Sequence, residues 1–373
     1  MMPAQRTVLA ALVLHAALAF SVLGADAMRV HFIDVGQGDA TLVELPCGAV
    51  LIDTGGEEWP ERSPRYRSTP ALVDYLTTFF DSRPDLGGRL DLLVLTHPHK
   101  DHTLGVSEVV SRFRPRNVVH NNERRGSGID GQRTLIRYAR STADVNSWYV
   151  LERLIDKETG MTNSTIYPLD CGTIDPEIRV LWGGVRPRPP GWHRKDHRDG
   201  NNHSIVVRLD FGDASVLWTG DLEEAEEPGD RAGIESLVDA YAANGLLDVD
   251  VYQVGHHGSH NGTTTDLLDA MSPEIAVISA GPAGCERRGY TAYSYGHPRE
   301  SVVQELEAAA TAVRTSPASV RTYLGTGPSS PLNLRTVTKA VYSTGWDGTV
   351  VLAALADGTW SVESLAGTGP CID

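Results

Sequence analysis

The sequence lacks an excess of basic residues. Its 33 Lys and Arg face 48 Asp and Glu over 373 residues, a formal net charge of −15. Diffuse attraction to a polyanion is thereby excluded, and any phosphate-bearing substrate needs local help. No internal repeat, heptad pattern or low-complexity block is present, which excludes solenoids, coiled coils and disordered tails. After one apolar run near the N-terminus there is no second, so the chain is not a membrane bundle. CxxC is also missing: Cys47, Cys171, Cys285 and Cys371 stand too far apart for a metal-type spacing and read as structural or free. With 37 Gly and 21 Pro, tight turns are frequent and a long-helix architecture is disfavoured.

What is present is a hydrophobic content of 41% against 22% charged, enough for a large core in one large soluble domain or two small ones. Arg6, the apolar run Val8 to Leu23 and the small-x-small triplet Ala25-Asp26-Ala27 read as a signal peptide over 1–27, leaving a mature chain from Met28. An uncleaved signal anchor is the other reading, and both predict a secreted or periplasmic location. There, the even number of cysteines predicts one or two disulfides without fixing their pairing.

Strands are predicted over Met28 to Asp34, Ala40 to Leu45, Ala49 to Asp53, Asp91 to Leu95 and Asn117 to His120, with helices over Ala71 to Phe80 and from Val106. A helical segment is expected over Leu135 to Leu154. Further strands are expected at Ile178 to Trp182, Ser204 to Leu209, Ser215 to Trp218, Val249 to Val254 and Ile275 to Ser279, then a helix after Pro298. A closing hairpin is expected over Ala340 to Val362, turning at Asp357-Gly358. The alternation supports an α/β fold and nothing finer.

Thirteen histidines are present, and six fall in two short clusters, His97, His99 and His102 in THPHKDH and His256, His257 and His260 in GHHGSH. His97, His99, Asp101 and His102 follow a buried strand, where side chains can converge on one point. Imidazole with carboxylate suits Zn²⁺ or a similar divalent ion.

This HxHxDH run resembles the signature of the metallo-β-lactamase fold, with LIDTGG, WTGD and VGHHGS following the expected order. DVGQGDA, LTHPHKDH, NNHSIVVRL, GHHGS and YGHP resemble, more narrowly, the hydrolase domain of ComEC-type DNA-uptake proteins. The resemblance implies a four-layer αβ/βα sandwich over 28–373, with a middle insertion about 121–200 and a C-terminal hairpin about 340–363. It also implies two divalent ions, Zn first and Mn as the alternative. His97 and His99 would serve one ion, Asp101, His102 and His256 the other, and Asp221 would bridge them. The third histidine of the first site is replaced by Asn201-Asn202-His203, so that His203 or Asn201 takes its place. His257 is left to orient a neighbour or meet substrate. Asp53 is expected to support the ligand loop, with a turn role as the alternative. Asp39 is the better of Asp34 and Asp39 for facing the cleft, and His297 is placed at the rim, where an ordinary loop role competes.

Such a site implies hydrolysis by metal-activated hydroxide, with Asp101 or Asp221 accepting hydrogen bonds from the hydroxide or relaying its proton. The basic, tryptophan-bearing stretch Arg186 to Gly200 favours a phosphodiester as a local flap, while the acidic run Asp221 to Asp230, expected as a solvated helix start, repels polyanions. The leading expectation is a nuclease or phosphodiesterase-like hydrolase, against an ester, lactone or β-lactam hydrolase and against a metal-binding module without turnover. The partner is a phosphate-bearing or small-molecule substrate. The uptake proteins carry many transmembrane helices and this chain has none after its leader, so it is not itself a channel.

Overall fold

The computed structural model describes residues 27–56, 67–172, 174–283, 292, 295–325 and 330–365. The expected signal segment up to Asp26, and Cys285 and Cys371, lie outside the described residues. Near the start of the chain come β1 (Ala27–Phe32), β2 (Thr41–Leu45) and β3 (Gly48–Ile52), antiparallel in sequence, followed by the parallel strands β4 (Leu92–Val94), β5 (Asn117–His120) and β6 (Asn146–Tyr149). The second sheet collects β7 (Glu177–Trp182), β8 (Val206–Phe211), β9 (Ala214–Trp218), β10 (Val251–Gln253) and β11 (Ile275–Ile278). A hairpin of its own is formed by β12 (Val313–Tyr323) and β13 (Leu332–Lys339). The chain then returns β14 (Val341–Ser343) to the second sheet and β15 (Val350–Leu355) and β16 (Trp360–Leu365) to the first. The orders are β16-β15-β1-β2-β3-β4-β5-β6 and β14-β11-β10-β9-β8-β7.

Alternation along the strands sorts side chains into layers. Val30, Val43, Val50 and Val94 of the first sheet meet Val207, Val216, Trp218 and Val277 of the second in one buried cluster between the sheets. The opposite face of the first sheet, through Leu42, Leu51 and Leu93, receives α1 (Ser68–Ser82) and, beyond the four-residue α2 (Lys100–Thr103), also α3 (Val106–Arg112) and α4 (Ile129–Ser141). The outer face of the second sheet, through Val206, Leu217 and Ile278, receives α5 (Gly233–Tyr241), α6 (Thr265–Met271) and α7 (Glu300–Ala309). The order helix, sheet, sheet, helix is the four-layer sandwich expected from the motifs. Cys47, at the β2–β3 turn, is disulfide-bonded to Cys171 across a sequence separation of 124.

Several boundaries differ from the sequence expectation. The helix placed over Leu135 to Leu154 is α4, which buries Gln132, Leu135 and Ala139 and ends before the turn in which Val145 N–H donates to Thr142 C=O; the rest becomes the edge strand β6, whose four side chains are all exposed. Residues 121–149 therefore complete the first sheet. The closing hairpin is β15–β16 alone, because Val341–Ser343 pairs in parallel with β11. The β12–β13 hairpin adds to the expected elements: Val313, Leu332 and Leu334 are exposed, while Arg314, Thr322, Asn333 and Arg335 share the inward face with the buried Val320 and Val337, so the apolar pattern is inverted over much of its length. The acidic run after Asp221 starts no helix; α5 begins at Gly233.

Candidate metal centre

The two histidine clusters meet at the ends of β4 and β10, with Asp221 between them. β4 leads through Leu95 and Thr96 to His97, β9 leads through Gly220 to Asp221, and β10 leads through Gly255 to His256 and His257. Backbone geometry brings them this close. Gly38 has φ +154, and a Cβ there would lie 2.4 Å from the Gly56 Cα and 2.5 Å from the Asp101 carbonyl, so GQGD admits only glycine against the ligand loop. His256 and His257 both hold positive φ, 47° and 54°. Such strain costs of order 1–3 kcal/mol per residue and marks sites where side-chain direction matters.

Three imidazoles share one pattern. His97 Nδ1 faces the Thr96 hydroxyl at 3.2 Å, His102 Nδ1 donates to Asp53 Oδ2 at 2.7 Å, and His257 Nδ1 donates to the Ser279 carbonyl at 2.8 Å. Each Nε2 then points at Asp221, at 3.7 Å for His97, 3.1 Å for His102 and 3.6 Å for His257. His97 Nε2, His102 Nε2 and Asp221 Oδ1 are buried yet have no hydrogen-bond partner of acceptable geometry. Orphaned buried atoms of this kind are costly. A divalent ion held by lone pairs at these positions removes that cost, and imidazoles oriented through Nδ1 are the form in which histidine serves as a ligand.

Two ligand groups result. His97, His99 and Asp221 lie within reach of one ion, with the His99 ring 4.7 Å from His97 and nearly perpendicular to it. His102, Asp221, His257 and Asp39 form the other group. Within it Asp39 approaches the Nδ1 edges, at 3.7 Å from His102 and 3.9 Å from His257, and its Oδ1 accepts from Gln253 Nε2 at 2.5 Å. It steadies the rings from behind. Asp101 instead brings Oδ2 to within 3.2 Å of His257 Nε2, on the side where an ion belongs.

Electrostatics reflect the crowding. Burial pushes the Asp39 carboxyl up to about 6, against the pull of His257 and His102. Burial also lowers His97, with His102 adding to the effect. For His102 and His257 burial acts downward, but Asp221 and neighbouring carboxylates outweigh it, raising His102 well above its ordinary value and His257 to about 10. Asp221 is held well below the usual carboxylate range by His102, His257 and His256 despite its burial.

Other expected residues fall differently. His256, preferred over His257 on sequence, turns its Nδ1 to Glu223 and Asn261, both at 3.1 Å, and its Nε2 stays 3.9 Å from Asp221; the second group contains His257. Both residues hold positive φ, and the bond of His257 Nδ1 to the Ser279 carbonyl leaves its Nε2 toward Asp221. His203 is excluded as a ligand: its Nδ1 accepts from Val185 N–H at 3.1 Å and its Nε2 donates to the His197 carbonyl at 2.9 Å, which leaves no lone pair. Asn201 lines the same cavity as His99; its Nδ2 donates to Glu223 at 2.8 Å and its Oδ1 is buried without a partner. Asp53 binds His102, and it also accepts from Thr96 N–H at 2.8 Å and Thr96 O–H at 2.6 Å. His297 is buried over His257, ring planes 23° apart, with Nδ1 unpartnered; His260 is exposed. A cavity of about 260 Å³ is lined by His99, Asp101, Asn201, Asp221, His256, His257 and His297.

Sequence reasoning missed Thr96, Glu223 and Ser279, which orient His97, Asn201 with His256, and His257. Glu223 carries a signal, standing two residues after the Asp221 of WTGD, but it lies inside an acidic run whose composition is that of a solvated segment. Trp192, expected as an aromatic of the flap, is buried, stacked on Trp182, and donates to the Ser236 hydroxyl.

Residues 33–281 match the family model described as the metallo-beta-lactamase superfamily. The chain belongs to this superfamily. Within it, the chain is 28% identical over 289 residues to ComE operon protein 3 of Bacillus subtilis (strain 168), covering 75% of the chain and 30% of that protein. It is 28% identical over 264 residues to Recombination protein 2 of Haemophilus influenzae, covering 71% and 26%, and 36% identical over 132 residues to Competence protein ComA of Neisseria gonorrhoeae, covering 35% and 16%. The chain thus spans less than a third of the length of these relatives, and the motif resemblance to the uptake type has counterparts among them. Among the described residues, no helix is long and apolar enough to cross a membrane.

Proposed function

We propose that this superfamily member is an exported two-metal hydrolase that cleaves a phosphodiester. The observation that carries the reading is the convergence of His97, His102 and His257 Nε2 on Asp221, each ring fixed through its Nδ1. His97, His99 and Asp221, with the Asn201 amide oxygen, would hold one ion; Asp101, His102, Asp221 and His257 would hold the other. Divalent ions at such a site supply Lewis acidity and lower the pKa of water. The chain's own residues do the rest. Asp221, common to both groups, fixes their separation. Asp101 Oδ2, at the cavity side of His257, is placed to accept the proton of an attacking water. His256, anchored by Glu223 and Asn261, and His297, with its unpartnered Nδ1, line the cavity where substrate oxygens would sit. No serine or cysteine nucleophile is required.

Imidazole and carboxylate favour Zn²⁺, while the oxygen donors Asn201 and Asp101 make Mn²⁺ the alternative. Relatives named for competence and recombination favour a phosphodiester over a β-lactam or lactone. Export is supported by the apolar run Val8 to Leu23 and by the Cys47–Cys171 disulfide, a bond of oxidising compartments. Isolation of the secreted or periplasmic chain should give an N-terminus near Met28; full-length chain in the cytoplasm would contradict export. For the reaction, chelated protein is reloaded with Zn²⁺ or Mn²⁺ and assayed on bis(p-nitrophenyl) phosphate. Recovery of cleavage is expected. Turnover of nitrocefin or a lactone with no metal supporting phosphodiester cleavage would sink the reading, and full metal loading without turnover of any substrate would leave a metal-binding module.

A further inference from the structure

A second cavity, of about 600 Å³, adjoins the metal centre and has the opposite character. Six arginines line it, Arg124 and Arg125 from the loop after β5 and Arg186, Arg188, Arg194 and Arg198 from the loop after β7, against the single acid Glu123. In a chain of net charge −15 this concentration is far from the average composition. Glu123 pairs with Arg186 at 2.8 Å, and Arg188 donates to the Trp192 carbonyl. Among the described residues no acidic partner is found for Arg124, Arg125, Arg194 or Arg198. The histidines of the cavity, His197 and His203, have their Nε2 atoms on backbone carbonyls, and burial lowers both. What remains available is a set of planar guanidinium groups, the donors best matched to phosphate oxygens.

The same two loops wall both cavities. Ser127, two residues after Arg125, lines the metal cavity, and Gly126 packs against the Pro98 carbonyl of the ligand loop. On the other loop Gly200 follows Arg198 by two residues and touches the His99 ring, where a Cβ would stand 3.0 Å from Nε2, and Asn201 faces the metal cavity. The two cavities are therefore lined by neighbouring residues of the same loops.

Resting on the phosphodiester reading above, we propose that the arginine cavity is a second phosphate site, which holds a non-reacting phosphate of a single-stranded oligomeric phosphodiester while a neighbouring linkage lies at the metal centre. The cavity has the volume of small-molecule sites, room for a phosphate with its adjoining sugar. With Trp192 buried, it offers no stacking platform, so it reads phosphates and is indifferent to base sequence.

The test uses the metal-loaded chain and an R124A/R194A/R198A variant. Binding is measured by fluorescence anisotropy with a phosphorothioate single strand of about 12 nucleotides, which resists cleavage. Loss of about three contacts should weaken binding roughly tenfold to a hundredfold at 0.1 M salt and flatten the slope of log K against log salt by about 2. Lysine at the same positions should restore most of the slope. In turnover, the ratio of kcat/KM on the corresponding phosphodiester strand to that on bis(p-nitrophenyl) phosphate should fall tenfold or more, because the small diester has no second phosphate to present. Unchanged binding and an unchanged ratio would overturn the proposal, as would inorganic polyphosphate of equal charge displacing the strand at far lower concentration. Binding is measured without cleavage, so an inactive enzyme would refute the phosphodiesterase reading and still leave the second site decided by anisotropy.

Discussion

Replacing Asp53 by Asn tests whether the metal centre depends on the tautomer of His102. Asp53 Oδ2 accepts from His102 Nδ1 and Thr96 Oγ1, and Oδ1 accepts from Thr96 N–H. An amide meets three donors with one oxygen. If that oxygen faces His102, the new NH₂ abuts Thr96 N–H; if it faces Thr96 N–H, the NH₂ faces His102, which then accepts at Nδ1 and carries its proton on Nε2, toward Asp221. The second arrangement blocks the lone pair needed for a metal, the same failure by which an asparagine in a catalytic triad traps the wrong tautomer. Asp53 has φ +58. Asn is at home in that conformation, so backbone strain does not confound the substitution as it would with Ala. Loss of such an orienting partner typically costs 10–100-fold in metal affinity, about 1.4–2.7 kcal/mol. Affinity is read by competition with a chromophoric chelator, and a melt of both chelated proteins gives the purely structural cost, expected at about 1–3 kcal/mol for a mismatched buried amide. Metal affinity within twofold of the parent would refute the reasoning, whatever the melt shows.

Asp221→Ala removes the carboxylate common to both ligand groups; metal analysis should fall from about two ions per chain to one or none, with unchanged circular dichroism, and retention of both ions would refute the bridging role. Glu44 tests the buried charge network instead. Burial raises its carboxyl, but His31, Arg83 and Arg29 outweigh burial and bring it down to about 2, from 4.5. A depressed carboxylate stabilises the fold fully above about pH 4.5 and loses that contribution as the pH falls toward 2, so Glu44→Gln should cost up to about 3 kcal/mol at pH 7. In urea titrations the difference from the parent should close between those two pH values, and a constant difference would contradict the assignment. Reduction of Cys47–Cys171, separated by 124 residues, should lower unfolding free energy by about 2–5 kcal/mol; no change in urea midpoint would deny the disulfide a stabilising role.

Much of the centre was legible because ligand chemistry is local. THPHKDH puts His97, His99, Asp101 and His102 on one strand-end loop, and any compact path brings them together. The orientations of His256 and His257 are not a local matter: His257 is held by the carbonyl of Ser279, just after β11, and His256 by Glu223 and Asn261, none of which GHHGS itself reveals. His203 looked like a ligand by composition and failed because its two nitrogens meet Val185 and His197, both placed by the course of one loop. The same holds for the fold. Buried runs such as Leu92–Val94 read as strands at once, whereas β6 is exposed on all four side chains and β12–β13 turns Thr322, Asn333 and Arg335 inward with Leu332 and Leu334 outward, which inverts the period that marks a half-buried strand. Arg124 and Arg125 escaped notice because only folding sets them beside Arg194 and Arg198.

The net charge and the arginine cavity act over different distances, and this decides how they combine. At physiological ionic strength charges are screened beyond about 8 Å, so the −15 shapes the approach of a polyanion but contributes little once phosphates lie among the guanidinium groups. The acidic stretch after Asp221 shows the same division. Glu223 is buried and holds Asn201 and His256, and Glu226 pairs with the exposed Lys195; neither acts as a free charge against a ligand in the cavity. Two divalent ions would further offset the carboxylates of Asp101 and Asp221. The two contributions respond to salt in opposite directions. Added salt weakens long-range repulsion and raises the association rate, while it weakens the arginine contacts and raises the dissociation rate more. A basic protein would lose association rate under the same treatment. Stopped-flow binding of a single strand at about 0.05 and 0.2 M salt therefore separates a locally basic site on an acidic chain from general polyanion attraction: a falling association rate would mean that the surface as a whole, and not the cavity, captures the strand.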